Sequence, residues 1–525
     1  MLIKIISSFL CSLILCHSLF ATTEAEMEGL PEEKLEMIEK EDSKTQTRTP
    51  TREQTQIGGD WSGKLDLGAM KLTLVVRVLK IETGTGGWKA TLDCLEQELK
   101  DYPVDLFAQA GNDVRFEIKA LKITFKGKIN GNKDEIEGTF KQYGTPLPLI
   151  LKRGIATVEK PNRPQEPKRP YPYQEIEVSY RHPAGHTLAG TLTLPSSGTK
   201  PFPVVLLITG SGPQDRDETI FGHKPFLILA DHLTRKGIAC LRVDDRSVGK
   251  STGKFDDATS EDFATDVMAG IEFLKTHPAI NPRQIGLLGH SEGGLIAPMV
   301  AAKSTDVAFI VMLAGPGVKG EDILIKQGEL KLRAIGTSEE KIAFDRKMRE
   351  ASFEILKNEP DLKRAEQKLR EAAKKLEAEE LRTDKSGKKV PGSLTDAQVE
   401  AFIELINTKW FRYFLTYDPR TALRKVKIPV LALNGENDVQ VSFQQSLPEI
   451  ERALEEAGNK TYTIIKLQKL NHLFQTSKTG AIEEYAQIEE TIAPRVLDLI
   501  SDWISARTSS HTSAYTLPEY APFAE

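Results

Sequence analysis

Ser291, Asp438 and His472 are the residues whose types and order in this chain could together carry out nucleophilic catalysis. Serine is a weak nucleophile by itself; it needs a base to take its proton and an acid to orient that base. Ser291 stands in Gly289-His290-Ser291-Glu292-Gly293, between the apolar run Ile285-Gly286-Leu287-Leu288 and a small, apolar run from Gly294 to Ala302. A G-x-S-x-G at a strand-to-helix junction reads as a nucleophile elbow: a strained turn lifts the hydroxyl above a sheet, and the flanking glycines leave room for crowded backbone. The helix that follows aims its N-terminus at any anion formed there. An elbow predicts the chain order serine, acid, histidine. Asp438 lies just beyond Gly435 on a loop after the strand candidate 428–433, where an orienting acid belongs, with Glu436 as the alternative. His472 follows the strand candidate Ile464-Ile465-Lys466 and is the one histidine between that acid and His511. His290 adjoins Ser291, but neighbours on a tight turn point different ways, which makes it a poor base. Attack on a carbonyl creates an oxyanion that needs donors. The backbone N–H of Glu292 supplies one, and the glycine-rich loop Thr209-Gly210-Ser211-Gly212-Pro213 the other.

The motif occurs twice. Gly249-Lys250-Ser251-Thr252-Gly253 also matches, but polar residues separate it from the apolar run 238–243, and Lys254-Phe255-Asp256-Asp257 follows. It reads as a loop. A phosphate-loop reading fails because position 244 is Asp where that pattern requires glycine.

The elements that must hold these residues are legible from Tyr173 onward. Apolar strand candidates 202–209, 238–243, 285–288, 307–313 and 428–433 alternate with helix candidates such as 225–236 and 260–276. Continuous apolar strands separated by helices predict a parallel sheet covered on both faces. The alternation breaks over about 319–420. There Leu362, Ala365, Leu369, Ala372 and Leu376 make a narrow stripe among charged residues, predicting a helical cap insertion packed over the sheet; a solvated helix that covers no site is the alternative. Residues 58–153 alternate at the strand period, as in Leu72, Leu74, Val76 and Val78, with turns at 84–87 and 130–132. They predict a small all-β, barrel-like domain, and with no histidine it can hold no Ser/His/Asp set. Between the two, residues 154–174 carry Pro161, Pro164, Pro167, Pro170 and Pro172, the composition of a stiff linker.

Residues 1–21 combine Lys4, an apolar stretch from Ile5 to Cys16 and a small residue, Ala21. That pattern predicts a signal peptide, a mature chain from about Thr22, and an exported, periplasmic or extracellular protein. An uncleaved anchor is the alternative, although the run is short for a span. Residues 22–57 and 509–525 read as a flexible linker and tail. The 525 residues exceed one core, and 70 Lys+Arg against 75 Asp+Glu give no electrostatic case for nucleic acid or an anionic membrane. Of the 4 cysteines, Cys94 and Cys240 lie outside the signal and in different domains, so a disulfide framework is not expected.

On these residues the chain resembles secreted bacterial carboxylesterases of the α/β-hydrolase superfamily, with features shared by serine aminopeptidases and dipeptidyl-peptidase-like hydrolases. The resemblance spans 175–508 and rests on Gly210-Ser211-Gly212-Pro213-Gln214-Asp215-Arg216-Asp217, on Asp244 to Gly253, on the elbow, and on Asn434 to Val441 with Leu470 to Gln475. Ser247 stands where the second block usually has its first glycine. The β-domain resembles one that precedes some such esterases, through Trp61-Ser62-Gly63, Leu92-Asp93 through Gln97, and Gly138-Thr139-Phe140. The resemblance implies an α/β-hydrolase fold and a serine esterase for small-molecule esters of short acyl chain. It implies catalysis by Ser291, Asp438 and His472, with oxyanion donors from Ser211 and Glu292. An aminopeptidase or amidase is the first alternative, a non-catalytic binding protein on the same fold the second. No cofactor or metal is expected, nor nucleic acid, nor a stable membrane span in the mature chain; oligomeric state stays open.

Overall fold

The computed structural model describes residues 57–508 apart from 67–70, 82–86, 98, 143–144, 157–161 and 384–395. The expected signal peptide, nearly all of the first linker and the tail lie outside the described residues. The chain divides into two compact units, each built on its own sheet.

The first unit is a nine-stranded sheet: β1 (Gly59–Asp66), β2 (Lys71–Ile81), β3 (Gly87–Cys94), β4 (Leu99–Pro103), β5 (Leu106–Ala110), β6 (Asp113–Ile118), β7 (Ile123–Ile129), β8 (Glu135–Gln142) and β9 (Thr145–Arg153). The order is β4-β3-β2-β1-β9-β8-β7-β6-β5. Each hydrogen-bonded pair given by its register, including β1 with β9, is antiparallel. Phe116, Phe125 and Phe140 are cross-strand neighbours and fully buried, and the first two rings stack at 5.0 Å. Such aromatic pairs are the unit of sheet stabilisation. Trp61 is also fully buried, and its indole N–H donates to Ile57 O at 2.7 Å, so the one polar atom of the largest core side chain is satisfied.

The second unit holds eight strands: β10 (Tyr173–Arg181), β11 (Thr187–Pro195), β12 (Phe202–Ile208), β13 (Ala239–Val243), β14 (Ile280–His290), β15 (Val307–Leu313), β16 (Val430–Gly435) and β17 (Tyr462–Leu467), in the order β10-β11-β13-β12-β14-β15-β16-β17. The contacts β10–β11 and β11–β13 are antiparallel and the others parallel. A mostly parallel sheet with an antiparallel second strand and this crossover pattern is the α/β-hydrolase topology. Along β12, Val204, Leu206 and Ile208 enter one core while Val205 and Leu207 enter the other. Both faces are therefore buried, which is why the strands read as unbroken apolar runs. Helices α1 (Pro225–Arg235), α2 (Ser260–Thr276) and α3 (Glu292–Ala301) follow β12, β13 and β14. Helix α2 opens with a reciprocal capping box between Thr259 and Asp262.

Among the described residues, six helices lie between β15 and β16: α4 (Gly320–Ala334), α5 (Glu339–Asn358), α6 (Leu362–Thr383), α7 (Asp396–Ile406), α8 (Lys409–Thr416) and α9 (Arg420–Leu423). The stripe expected on α6 is rotated: Leu362 is exposed, and the buried row is Ala365, Leu369 and Ala373. Arg370 of α6 pairs with Glu400 of α7. Helix α8 is built into the sheet-face core, with Phe414 buried there and Trp410 and Tyr413 packed against it. After β16 come α10 (Phe443–Glu456) and, after β17, α11 (Pro494–Thr508).

Part of the proline-rich segment is fastened to the second unit. Arg163 donates to Ala486 O at 3.0 Å and Ile488 O at 2.9 Å, and Gln165 accepts from Thr491 N at 2.6 Å. Nearby, the fully buried His223 ring sits between Thr491 Oγ1 at 2.8 Å and Tyr485 O at 2.9 Å.

Candidate active site

Ser291 joins β14 to α3 with φ 53° and ψ −116°, outside the regions a non-glycine residue prefers. Such a conformation costs about 1–3 kcal/mol and persists only where the surroundings enforce it. Here the Ser291 N–H donates to Leu313 O of β15 at 2.8 Å, and its carbonyl accepts from Gly294 N at 2.9 Å. The flanking glycines are steric necessities: a Cβ on Gly289 would lie 1.9 Å from Gly293 O, and one on Gly293 2.1 Å from Ile208 O. The serine is half-buried, and its hydroxyl makes no hydrogen bond among the described residues.

Asp438 and His472 arrive on loops after neighbouring parallel strands, β16 and β17. Their side chains are buried and meet with Asp438 Oδ2 2.8 Å from His472 Nδ1. Asp438 Oδ1 accepts from the backbone N–H groups of Gln440 and Val441 at 2.8 and 2.9 Å, and Asn434 Nδ2 donates to Oδ2 at 3.1 Å. The carboxylate is thus held in the orientation that presents it to the imidazole. Burial pushes the His472 pKa below the ordinary histidine value, against the opposing pull of Asp438. A neutral ring with Nδ1–H turned to the acid leaves Nε2 to accept a proton. Glu436, the alternative acid, makes other contacts: it accepts from Lys469 N at 3.1 Å and pairs with Lys466 at 3.5 Å.

The loop after β12 brings Gly210 against the elbow; a Cβ on Gly210 would sit 3.3 Å from Ser291 Cβ. The Gly210 N–H is already committed to Glu218 Oε1 at 2.7 Å. The Ser211 N–H has no acceptor among the described residues. Thr209 Oγ1 and Gln214 N both donate to Asp245, at 2.9 Å each, which fixes the two ends of the loop.

Glu292 sits at the first turn of α3, its carboxylate buried. Ser260 Oγ donates to it at 2.6 Å and Trp410 Nε1 at 2.8 Å, and the Ser211 hydroxyl also bonds it. Burial raises its pKa in spite of these donors. Trp410 comes from the inserted helices, and so do Gln327, which donates to Gln440 O at 3.3 Å, and Asp322, whose carbonyl accepts from Gln445 Nε2 at 3.1 Å. A cavity of about 50 Å³ is lined by Thr209, Gly210, Asp245, Phe263, Glu292 and Ile296, but by neither Ser291 nor His472.

The family model of the X-Pro dipeptidyl-peptidase (S15 family) matches residues 184–468, more than half of the chain. The chain belongs to the S15 family. The S15 match takes in Ser291 and Asp438 and stops short of His472. Among characterised relatives, the esterase EstD of Thermotoga maritima is 26% identical over 319 residues, 60% of this chain and 65% of that protein. The esterase FrsA of Yersinia enterocolitica is 38% identical over 88 residues, 17% of this chain and 20% of that protein. The chain therefore spans less than two thirds of the length of either relative. A Pyrococcus furiosus esterase structure aligns over 67% of this chain and all of its own, at 16% identity and a TM-score of 0.41.

Two features of this S15-family site were not legible in advance. Glu218 and the ring of His290 form a buried pair behind His472. A hint existed in the acid-rich run Asp215 to Glu218, but nothing local indicates which carboxylate turns inward. Trp410 lies well over a hundred residues downstream of its partner Glu292, and no local pattern could link them. His182, His186 and Asp266 also gather ligand-capable atoms within 4.8 Å. Arg246 donates to both Asp266 oxygens and His186 Nε2 lies 2.8 Å from one of them, which closes that cluster as an ion-pair network.

Proposed function

We propose that this S15-family chain is a serine hydrolase that cleaves carboxylic esters of short acyl chain through Ser291, His472 and Asp438. The observation that carries the reading is the buried Asp438–His472 pair on the loops after β16 and β17, taken together with a serine held at φ 53° between β14 and α3. In this mechanism His472 Nε2 takes the proton from Ser291 Oγ as the oxygen attacks the ester carbonyl. Asp438 fixes the Nδ1–H tautomer and stabilises the imidazolium. The oxyanion accepts from the backbone N–H groups of Ser211 and Glu292, each worth about 3 kcal/mol. The imidazolium then protonates the leaving alkoxide as the C–O bond breaks, which leaves an acyl-serine. Water, deprotonated by His472, hydrolyses that ester and restores the hydroxyl.

The esterase names of the relatives favour an ester, whereas the family's own description favours an X-Pro peptide bond. A fluorophosphonate probe should label Ser291, and p-nitrophenyl acetate or butyrate should turn over faster than longer esters and faster than aminoacyl- or X-Pro-nitroanilides. Faster nitroanilide cleavage would make the chain a peptidase; absence of labelling would remove the nucleophile. We further propose that the inserted helices wall the acyl pocket, on the strength of the Trp410, Gln327 and Asp322 contacts, and that the apolar run after Lys4 directs export. Among the described residues no helix is long and apolar enough to cross a membrane.

A further inference from the structure

The mechanism above makes no use of His290 or Glu218, although both are buried beside it. His290 Nδ1 lies 2.9 Å from Glu218 Oε1, and Nε2 lies 3.0 Å from the backbone carbonyl of His472. A carbonyl oxygen can only accept, and an ionised carboxylate can only accept. Both ring nitrogens therefore need a proton, and the ring that satisfies them is the imidazolium. The same Glu218 oxygen accepts from Gly210 N at 2.7 Å. Glu218 itself has φ 52°, a strained backbone held in place to aim one side chain. One carboxylate thus binds the oxyanion loop directly, the elbow through His290, and the histidine loop through the His472 carbonyl.

We infer that Glu218 and His290 are positioning residues for the proposed hydrolysis: a buried carboxylate–imidazolium pair that clamps the three loops and stands a fixed positive charge beside the base. The His290 and His472 ring centroids are 4.8 Å apart. The charge state agrees with a raised His290 pKa, where burial pulls down and Glu218, the His472 carbonyl and Asp438 together more than offset it. Other groups bear on this arrangement: Asp438 acts on both rings, Lys331 of α4 opposes protonation of His472, and Tyr485 bonds the His472 backbone. A cation beside His472 disfavours a second cation there, so the base stays neutral to lower pH than it would alone.

The inference rests on the hydrolase reading, and the test separates the two. The second-order rate of fluorophosphonate labelling at Ser291 is measured against pH for the wild type, His290→Gln and Glu218→Gln, with thermal melting to confirm folding. His290→Gln keeps a donor for the His472 carbonyl but removes the charge. It should move the acid limb up by about one pH unit. Glu218→Gln, which removes both charges, should move it up by less. Slower labelling at every pH with the limb unmoved would overturn the charge and leave only a brace. In the wild-type chain labelled with nitrogen-15 histidine, one ring should keep both nitrogens protonated well above the ordinary histidine titration. No such ring would overturn the inference whether or not either variant folds. A wild-type chain that Ser291-directed probes never label fails the hydrolase reading instead, and the nitrogen-15 spectrum still decides the His290 charge.

Discussion

Ser251 and Ser291 stand in the same five-residue pattern and do opposite things. Ser251 is buried, donates to Asp244 O at 2.7 Å and accepts from Ala189 N at 2.9 Å, so its hydroxyl fastens a loop to β11. Ser291 is half-buried, its hydroxyl has no hydrogen bond among the described residues, and its backbone has φ 53°. A hydroxyl whose donor and acceptor capacities are both used is chemically quiet. One raised on a strained turn above a sheet is available. The motif does not distinguish them; the strand before and the helix after do.

The largest effects should fall on the Ser291 side. Ser291→Ala should abolish fluorophosphonate labelling and lower ester turnover by about 10⁴-fold or more, with the melting temperature kept within a few degrees. Comparable activity loss from a folded Ser251→Ala would break the contrast. His472→Ala should be as severe, and Asp438→Asn should lose far more activity than Glu436→Gln, because only Asp438 meets the imidazole. The reverse ranking would move the orienting role to Glu436.

Acid should separate working residues from fastening ones in a second way. Burial lowers the pKa of His223 to about 4. Between about 6.5 and about 4 the unfolded chain binds a proton that the native ring refuses, so stability is full above 6.5 and falls as pH drops toward 4, by about 3 kcal/mol. His472, also held below the ordinary value, stays a competent base into that window, so labelling should persist below pH 6.5 while denaturant midpoints decline. His223→Gln should flatten the stability decline; an unchanged slope would assign it to another group. The smallest effect sharpens the comparison most. Ser251→Ala should keep labelling within a few-fold of wild type yet cost about 1–3 kcal/mol in denaturant unfolding, since Ala189 N loses its acceptor in a buried place.

How much of this could be read from the chain differs by element. The strand 307–313 and the helix 260–276 have the bounds expected from the sequence; the strand is an unbroken apolar run, and the helix opens on the capping box seen in the structure. The strand expected at 285–288 extends over Ile280–His290: Ile280 is buried and pairs with Phe202, but Asn281, Arg283 and Gln284 interrupt the apolar run where the register shifts. Asp438 and His472 could be placed on successive loops from strand, glycine and chain order, and their side chains do meet. Ser247, where the resembling pattern has glycine, holds φ 64° with its hydroxyl donating to Gly253 O at 2.9 Å and accepting from Phe255 N at 3.2 Å. A side chain can hold a left-handed turn by bonding its own loop, which a pattern of residue types does not reveal. Leu362, expected in a buried stripe, is exposed, and the buried row of α6 runs through Ala365, Leu369 and Ala373 instead. Glu218 and Trp410 stayed hidden for one reason: their partners are set by loop and helix placement over long separations, not by local period.

The bond from Trp410 Nε1 to the Glu292 carboxylate makes this indole an optical witness to the proposed nucleophile. Trp410 is one of 4 tryptophans; Trp61 and Trp503 are fully buried with the guanidinium groups of Arg153 and Arg507 over their rings, and Trp88 is half-buried on β3. Indole emission shifts with the field along the ring, and a carboxylate on its N–H supplies a strong local field. An acyl or phosphonyl group on the adjacent Ser291 crowds the turn that carries Glu292, and the emission of Trp410 should change as the adduct forms. Rapid-mixing fluorescence would then time adduct formation and its decay without a chromogenic leaving group, and Trp410→Phe, with its stacking on Phe414 retained, is the blank that identifies the signal.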